Sequence, residues 1–270
     1  MSTAAELHAE SISFQDHSED SGPFDIVGDV HGCIDELKEL LGTLGYQVGD
    51  DLSITSPDKR RLIFVGDLAD RGPGIPEVFR LVSTGMAQGK AFSVAGNHDV
   101  RLATALCGKT LPLTYGLADS LEQFGRQSPE FTKQMAIFIK RLPGHLIFDH
   151  ARLLVAHAGL KESLHRAATI QARELAIHGE KTGVRDQWGE IRYPWAAEYQ
   201  GNPLIVFGHT PVESPVILNN TINIDTGCVF GGKLTALRYP ECEFVSVPAK
   251  RKYYEPTRPF LSDDPRLLVG

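Results

Sequence analysis

Five short apolar runs in this chain each end on a side chain of a type that binds metal ions in proteins. The runs cover residues 24–28, 62–66, 92–96, 153–156 and 204–208, and they lead into Asp29 with His31, Asp67, Asn97, His157 and His209. Each run has the length of a buried β-strand. Open α/β sheets place their chemistry outside the carboxyl ends of the strands. We therefore predict that the six side chains assemble at one rim of a sheet.

Asp29, His31 and Asp67 form the first part of the predicted site. Asp29 and His31 are separated by one residue, so in extended chain both side chains point the same way and can reach one ion. The Asp67 carboxylate has two oxygens and can bridge two cations. Gly28 and Gly66 directly precede Asp29 and Asp67, which allows a sharp turn where a larger residue would clash.

Asn97, His157 and His209 supply the second part of the site. Their carbonyl oxygen and two imidazole nitrogens, together with Asp67, suffice for a second ion. Mixed His, Asp and Asn ligation suits Mn²⁺, Fe, Co, Ni or Zn²⁺ better than Mg²⁺. We therefore predict two divalent cations, with Mn²⁺ preferred and Asp67 shared between them.

Composition and charge limit the partners. The chain has 270 residues and a formal net charge of −7, which argues against a basic face for duplex nucleic acid. A nucleotide or an RNA end remains open, because bound dications would supply local positive charge. The four cysteines lack Cys-x-x-Cys spacing, and we expect reduced thiols and a cytoplasmic setting. No run of apolar residues is long enough to cross a membrane.

The remaining sequence divides around the metal motifs. We expect a polar N-terminal tail over residues 1–23, one domain over residues 24–250 and a C-terminal extension over residues 251–270. Within the domain, residues 107–150 and 160–200 interrupt the rhythm of strands, and we expect them to lie above the metal rim as a helical cap. Helices are predicted near residues 35–44, 76–86, 100–106, 120–124, 129–142 and 167–177, and strands near 215–218, 221–224, 234–237 and 243–247.

The motifs resemble a known family when they are taken in order. They are Gly28-Asp-Val-His-Gly32, Gly66-Asp-Leu-Ala-Asp-Arg-Gly72, Gly96-Asn-His-Asp99, His157-Ala-Gly159 and Gly208-His-Thr210. Together they resemble the calcineurin-like metallophosphoesterases, in the phosphoprotein phosphatase branch that includes dinucleoside tetraphosphate hydrolases. Asp99 stands where many protein phosphatases have Glu, and His157-Ala-Gly159 where they have His-Gly-Gly. These differences weigh against a protein substrate and leave the metal ligands unchanged.

The closing part of the chain narrows the resemblance. Residues 221–240, 246–248 and 195–199 resemble the PrpE type of bis(5′-nucleosyl)-tetraphosphatase and the phosphatase module of bacterial polynucleotide kinase-phosphatases. The resemblance extends over roughly residues 24–248. It implies the fold class α/β, as a two-sheet β-sandwich flanked by helices (α/β/β/α) with a helical cap insertion.

Several residues beside the metal ligands are candidates for catalysis. Two dications about 3.5–4 Å apart would share a bridging hydroxide that attacks phosphorus in line. His98 is placed next to Asn97 to donate a proton to the leaving oxygen, with its cation held by Asp70. Arg71 offers a planar fork for phosphate oxygens. The resemblance implies these roles for His98, Asp70 and Arg71.

Three further residues are candidate substrate contacts. Asn97 stands beside the proton donor and is expected to contact substrate as well as metal. Arg101 lies one helical turn beyond Asn97 and could face the site, or could form a surface salt bridge. The resemblance implies a supporting role near the site for Asp225, and an Asx turn in residues 224–227 is the alternative.

The second insertion could add a substrate-binding surface. Lys181, Arg185 and Arg192 lie close in sequence to Trp195 and Tyr199, so cations could hold a second phosphate while an aromatic ring stacks on a base. The alternative is that the aromatic residues are core of the cap and the charges form a solvated face.

These features favour a dinuclear hydrolase acting on nucleotide-linked phosphate, as the bis(5′-nucleosyl)-tetraphosphatases do. The absence of a Gly-x-x-x-x-Gly-Lys-Ser/Thr loop fits a stand-alone enzyme better than a kinase fusion. The alternatives are a phosphomonoesterase for 2′,3′ ends of RNA or nucleotides and a protein serine/threonine phosphatase. An inactive scaffold protein would be expected to have lost ligands, and here all six positions and His98 are filled.

Overall fold

Two β-sheets form the centre of the computed structural model, which describes residues 13–261. The strands are β1 (Phe14–His17), β2 (Phe24–Val27), β3 (Gln47–Val48), β4 (Ile54–Thr55), β5 (Arg61–Phe64), β6 (Ala91–Ser93), β7 (His145–Phe148), β8 (Leu153–Ala156), β9 (Lys181–Asp186), β10 (Gly189–Arg192), β11 (Leu204–Phe207), β12 (Val216–Leu218), β13 (Thr221–Asn223), β14 (Lys233–Tyr239) and β15 (Glu243–Pro248). The helices are α1 (Ile34–Thr43), α2 (Ile75–Ala87), α3 (Asn97–Leu106), α4 (Leu117–Gly125), α5 (Pro129–Arg141), α6 (Ile170–His178) and α7 (Trp195–Glu198).

The first sheet has the strand order β15-β14-β2-β5-β6. Strands β2, β5 and β6 are parallel to one another, whereas β14 pairs antiparallel with both β2 and β15. All four residues of β2 are buried, which explains why the run is continuously apolar apart from Asp25 rather than alternating.

The second sheet has the order β1-β7-β8-β11-β13-β12. Strands β8, β11 and β13 are parallel to one another. Three of the five ligand-bearing strands therefore belong to the first sheet and two to the second. The expectation of a single sheet rim is wrong in this respect, because the site lies where the ends of two sheets meet.

The two sheets pack face to face over a shared apolar core. Phe24, Ile26 and Ile63 of the first sheet are fully buried against side chains of the second sheet that include Phe148 and Val206. The rings of Phe24 and Phe148 lie 4.7 Å apart between centroids. The predicted α/β class with a two-sheet sandwich is confirmed.

The first insertion is a flanking helical layer. Phe79 of α2 meets Phe124 of α4 edge to face at 6.1 Å, and Met135 and Ile139 of α5 are buried in the same cluster. Residues 117–141 therefore lie beside the first sheet. The sequence had led us to expect them above the rim, as a cap. Within residues 13–261, no helix is long and apolar enough to cross a bilayer.

Both terminal segments contain ordered contacts. Strand β1 lies inside the segment 1–23 expected to be a polar tail, and it extends the second sheet by pairing parallel with β7. In the C-terminal extension, Leu261 bridges to Val212, and Phe260 stacks edge to face on Phe230 at 6.1 Å. Residues 1–12 of the expected tail and 262–270 of the extension lie outside the described residues.

A buried ion pair connects the strands of the first sheet. Arg60 Nε donates to both oxygens of Asp25, at 3.1 and 3.0 Å, and Tyr46 donates its hydroxyl to the same carboxylate at 2.8 Å. Arg60 also donates to the Phe24 carbonyl at 2.7 Å and to Glu241 at 2.8 Å. The pair thereby joins β2 to the turn before β5 and to the β14–β15 hairpin.

We expect Asp25→Ala to destabilise the fold by about 3–5 kcal/mol, because it leaves a buried guanidinium without its main partner. Urea unfolding measures the loss. The matched control is Arg126→Ala. It removes an exposed ion pair with Glu122, one helical turn away, and should cost less than about 0.5 kcal/mol of stability. Equal losses in the two variants would contradict the role given to the buried pair.

Candidate metal centre and catalytic site

Backbone hydrogen bonds tie together the loops that follow the ligand-bearing strands. The amide of His31 donates to the Asp67 carbonyl at 2.8 Å, and Gly32 donates to Leu68 at 3.0 Å. In the second sheet, Gly208 donates to the His157 carbonyl at 2.9 Å. The loops are therefore held in register with one another, and their side chains converge between the two sheets.

The strongest convergence is at His157. Its Nδ1 faces the Val65 carbonyl at 3.0 Å and must carry the proton, because a carbonyl only accepts. Its Nε2 then faces three acceptors, namely Asn97 Oδ1 at 3.1 Å, Asp67 Oδ2 at 3.3 Å and His209 Nδ1 at 2.9 Å. In the neutral ring Nε2 carries a lone pair instead of a hydrogen, so four electron-pair donors converge here, as the ligands of one cation do. This is the ligand set that the sequence predicts for the second ion.

Asp67 and His31 form the neighbouring group. Asp67 Oδ2 lies 3.6 Å from His31 Nε2, so a single oxygen faces both His31 and His157, as a bridging ligand requires. His31 Nδ1 lies 2.6 Å from the Ala69 carbonyl, which leaves Nε2 as the ligating nitrogen. That nitrogen accepts from Arg71 Nη1 at 2.7 Å, and the guanidinium must move away before His31 can hold a metal.

Asp29 lies beside these groups rather than within them. At the strand ends, ligand atoms gather within 4.8 Å of one another in two groups, one of His31, Asp67 and His98 and one of Asp67, His157 and His209. Asp29 Oδ2 accepts from the His209 amide at 3.1 Å. The structure therefore places Asp29 against the second group through the backbone, and its predicted bond to the first ion stays a prediction.

The donor set fits divalent cations. Asp29 Oδ1 and His209 Nε2 are buried without a hydrogen-bond partner among residues 13–261. Burial, followed by the negative charges of Asp225 and Asp67, raises the pKa of Asp29 well above its ordinary value. Burial would also raise the pKa of Asp67, but the imidazoles of His157 and His98 hold that pKa well below its ordinary value. A cation among these groups would relieve the repulsion between the carboxylates.

Several residues of the site have a strained backbone. The residues with positive φ include His31 (44°), Asp67 (48°), Asp70 (73°), Arg71 (73°) and His209 (74°). A left-handed conformation costs a residue other than glycine on the order of 1 kcal/mol or more, and such residues cluster at functional sites. The fold tolerates this cost at the positions where the chain turns sharply to present a side chain.

The proton-donor candidate His98 is held by a chain of side chains. Its Nδ1 lies 2.6 Å from Asp70 Oδ2, so the carboxylate fixes the ring with Nε2 facing the cleft. Ser120 of α4 donates its hydroxyl to the other Asp70 oxygen and accepts from the Asp70 amide at 3.1 Å. Sequence reasoning missed Ser120, because it comes from a remote helix and no motif marks it.

Arg71 occupies the centre of the cleft. Its Nη1 and Nη2 donate to His31 Nε2 at 2.7 Å and to His98 Nε2 at 2.9 Å. The guanidinium also lies 5.0 Å from the ring centroid of Phe230 and 5.7 Å from that of Tyr254. The two rings pack against the planar guanidinium. Sequence analysis did not identify either ring as part of the site.

Asp99 is a second support that the motif contains but that received no role. It accepts from the amides of Leu68 and Ala69 at 2.9 and 3.0 Å through one oxygen, and from Gly96 at 2.9 Å through the other. Burial raises its pKa to about 7. Asp99 thereby joins the loop carrying Asp67 to the start of α3.

The structure corrects one predicted substrate contact. Arg101 donates to the Thr114 carbonyl at 2.6 Å, to Thr114 Oγ1 at 2.9 Å and to the Pro112 carbonyl. Its guanidinium holds the loop before α4 and stacks on Tyr115 at 5.7 Å. Arg101 is therefore directed away from the cleft, because the loop carbonyls satisfy its donors, and only Tyr115 reaches the cleft wall.

Asp225 combines both expectations made for it. It lines the cleft with Asp67 and Arg71, and its Oδ1 accepts from the Gly227 amide at 3.1 Å in an Asx turn. Burial raises its pKa to about 6, with the charge of Asp67 acting in the same direction.

The second insertion borders the cleft through the β9–β10 hairpin. The cleft has a volume of about 430 Å³, and its walls include the four cationic side chains Lys181, Arg185, Arg192 and Arg258. Arg258 of the C-terminal extension also binds the hairpin residue Asp186 through both carboxylate oxygens, at 2.9 and 3.0 Å. The extension and the hairpin therefore form one wall of the cleft that Asp67 and Asp225 also line.

The two aromatic candidates differ in position. Tyr199 is 5 % exposed and donates its hydroxyl to the Pro203 carbonyl at 3.0 Å, so it belongs to the core. The suggestion that Tyr199 stacks on a base is wrong. Trp195 packs on Phe207 with ring centroids 5.0 Å apart, and it lines a cavity beside the cleft.

This geometry agrees with comparison to known proteins. Residues 22–246 match the calcineurin-like phosphoesterase family, and the chain belongs to that family. It is a metallophosphoesterase, a hydrolase of phosphoric esters or phosphoanhydrides that uses divalent metal ions.

Similar proteins within the family have a narrower description. The chain is 43 % identical over 244 residues to the asymmetrical bis(5′-nucleosyl)-tetraphosphatase PrpE of Anoxybacillus flavithermus, covering 88 % of this chain and 99 % of the relative. It is 43 % identical over 233 residues to PrpE of Halalkalibacterium halodurans, covering 84 % and 94 %. A crystal structure provisionally assigned as a diadenosine tetraphosphatase has a TM-score of 0.62 and 26 % identity, covering 88 % and 98 %. The predicted resemblance is confirmed.

We expect Gly208→Ala to weaken Mn²⁺ binding by about 10–100-fold, the range typical for residues that orient metal ligands. A Cβ at Gly208 would lie 1.9 Å from Asp29 Oδ1 and must displace that carboxylate. Isothermal titration with Mn²⁺ measures the change. The control is Gly125→Ala in α4, where a new Cβ meets no heavy atom within 4 Å. Unchanged affinity in Gly208→Ala would mean that Asp29 does not serve the metals.

We expect His98→Ala to lower kcat by about 10²–10⁴-fold on substrates with poor leaving groups. An aryl phosphate whose leaving group needs no proton should lose much less. Parallel turnover measurements with a nucleotide substrate and a chromogenic aryl phosphate distinguish the two cases. Equal losses on both substrates would assign His98 to ordering Asn97 instead of donating a proton.

Proposed function

We propose that this enzyme hydrolyses bis(5′-nucleosyl) tetraphosphates asymmetrically, with Mn²⁺ as its preferred metal. The similar proteins are named as asymmetrical bis(5′-nucleosyl)-tetraphosphatases, which supports this choice of substrate. The observation that carries the proposal is a single cleft that is lined both by the acidic metal cluster and by a cationic wall. A short monoester needs only the first of these features, whereas a chain of four phosphates extends far enough to use both.

Two divalent cations on Asp29, His31, Asp67, Asn97, His157 and His209 would supply an activated water and neutralise charge on the reacting phosphate. In this proposal Arg71 leaves His31 and His98 and places its two-pronged donor on phosphate oxygens. Its release frees Nε2 of His98, which in the cationic form donates a proton to the leaving oxygen. Asp70 stabilises that cation through Nδ1.

The cationic wall serves the phosphates that do not react. Arg185 and Arg192 lie on the hairpin and line the same cleft as Asp67. Arg192 is exposed to the cleft; desolvation by the surrounding protein lowers its pKa to about 10, which still leaves it charged at neutral pH. Charge-assisted hydrogen bonds from such groups are worth roughly 1.5–3 kcal/mol each, enough to favour a polyphosphate over a monoester.

The location proposed for the enzyme is the cytoplasm. All four cysteines (Cys33, Cys107, Cys228 and Cys242) are free thiols, and a reducing compartment preserves such thiols.

A turnover panel with added Mn²⁺ tests the function. We expect the largest kcat/KM for diadenosine tetraphosphate, with products ATP and AMP, ahead of 2′ and 3′ nucleoside monophosphates, a phosphopeptide and a chromogenic monoester. A larger kcat/KM for the 2′ or 3′ monophosphates would instead favour RNA-end repair, and one for the phosphopeptide would favour a protein phosphatase.

We expect Arg185→Ala and Arg192→Ala each to raise KM for diadenosine tetraphosphate about tenfold, the effect of losing one charge-assisted hydrogen bond. Turnover of the chromogenic monoester should stay within about twofold, because that substrate does not reach the wall. Lys109→Ala, on the exposed surface before α4, is the control. Unchanged KM in both arginine variants would remove the cationic wall from the proposal.

A further inference from the structure

A second cavity adjoins the metal cluster on the other side of His209. Its volume is about 150 Å³, and its lining is mainly apolar, with the rings of Tyr193, Trp195 and Phe207 among it. The proposed reaction at the metal cluster makes no use of this cavity. Its aromatic and mainly apolar lining favours a ligand group that is flat and apolar.

The size of the cavity suits one ring system. A buried cavity of about 150 Å³ is large enough to hold benzene, while pockets for drug-sized ligands span roughly 300–1,000 Å³. The cavity is only partly enclosed, which gives a fused ring additional room. A whole dinucleotide does not fit, but a single base does.

The cavity and the metal cleft share part of their lining. Both are lined by His209, Thr210, Arg192, Arg258 and Leu261. A ligand that enters the cavity therefore has two arginines at the mouth and the metal cluster directly beyond. This order of apolar cavity, cations and metals matches the order of base, phosphates and reacting phosphorus along a nucleotide.

The walls of the cavity are fixed in advance. A Cβ at Gly159 would lie 1.9 Å from Trp195 Cζ2, so the indole is wedged against the His157 loop. The Asn223 amide donates to the Thr210 carbonyl at 2.9 Å and accepts from the Asp225 amide at 3.0 Å. These two bonds fix the orientation of the Asn223 side chain, and the lining of the cavity is mainly apolar, so contact with the ring faces dominates.

We propose that this cavity binds one nucleobase of the substrate, with the attached phosphates passing Arg192 and Arg258 to the metals. The proposal rests on the proposed function, since it assigns a subsite within it. Base stacking on aromatic side chains is worth enough to change affinity about tenfold or more. The variant that tests it is Ala197→Phe, which fills the cavity from α7 and leaves every predicted metal ligand and His98 in the sequence.

Fluorescence of Trp195 reports occupancy directly. The chain has two tryptophans, so in a Trp188→Phe background the emission comes from Trp195 alone. In the Mn²⁺-loaded protein, we expect adenosine 5′-(α,β-methylene)diphosphate to change this emission and methylenediphosphonate, which lacks the nucleoside, to leave it unchanged. Ala197→Phe should abolish the response and raise KM for diadenosine tetraphosphate about tenfold, with turnover of an aryl phosphate preserved.

The outcomes separate the cavity from the proposed function. Nucleotide binding that is lost in Ala197→Phe supports the cavity even if diadenosine tetraphosphate is not hydrolysed, in which case only the proposed function fails. An unchanged response and KM in Ala197→Phe, or an equal response to methylenediphosphonate, overturns the cavity assignment. If Ala197→Phe does not fold, Ile191→Phe on the β10 side of the cavity replaces it with the same expected results.

Discussion

Negative charge buried between the ends of two sheets is the constraint on which this structure depends. Asp29, Asp67 and Asp225 lie close enough for each to affect the others, and burial raises the pKa of Asp29 and Asp225. Protein groups offset only part of this repulsion, chiefly through His157 and His98 beside Asp67. Divalent cations are the natural counter-charge for these groups. The fold thus keeps together carboxylates that repel one another, and these are the groups that a phosphoesterase needs.

Close packing of the loops follows from the same constraint. Each carboxylate packs against the backbone of a neighbouring loop only because a glycine stands at the point of contact. A Cβ at Gly96 would lie 2.1 Å from Asp67 Oδ1, and one at Gly208 would lie 1.9 Å from Asp29 Oδ1. The left-handed backbone at Asp67 and His209 turns the chain at the end of each strand. The glycines of the motifs are therefore steric requirements of the metal centre.

The sequence predicted the six candidate ligands because each follows a buried strand within a few residues, which is a local signal. It could not locate contacts made between remote segments. Strand β1 has the polar sequence Phe14–His17 and is a strand only because its backbone pairs with β7. Likewise, the sequence predicted the apolar face of α5 but not its burial beside the first sheet. The hydrogen bonds of Arg101 to the 112–115 loop could not be predicted either, because the fold determines those partners.

Anomalous diffraction from crystals soaked in Mn²⁺ tests the central claim most directly. The account predicts two peaks about 3.5–4 Å apart, the usual spacing of a two-metal site. Asp67 should lie between them, with His31 on one and His157 with His209 on the other. A single peak, or peaks that leave Asp67 or His157 without a bond to metal, would contradict the assignment of a dinuclear centre to these strand ends.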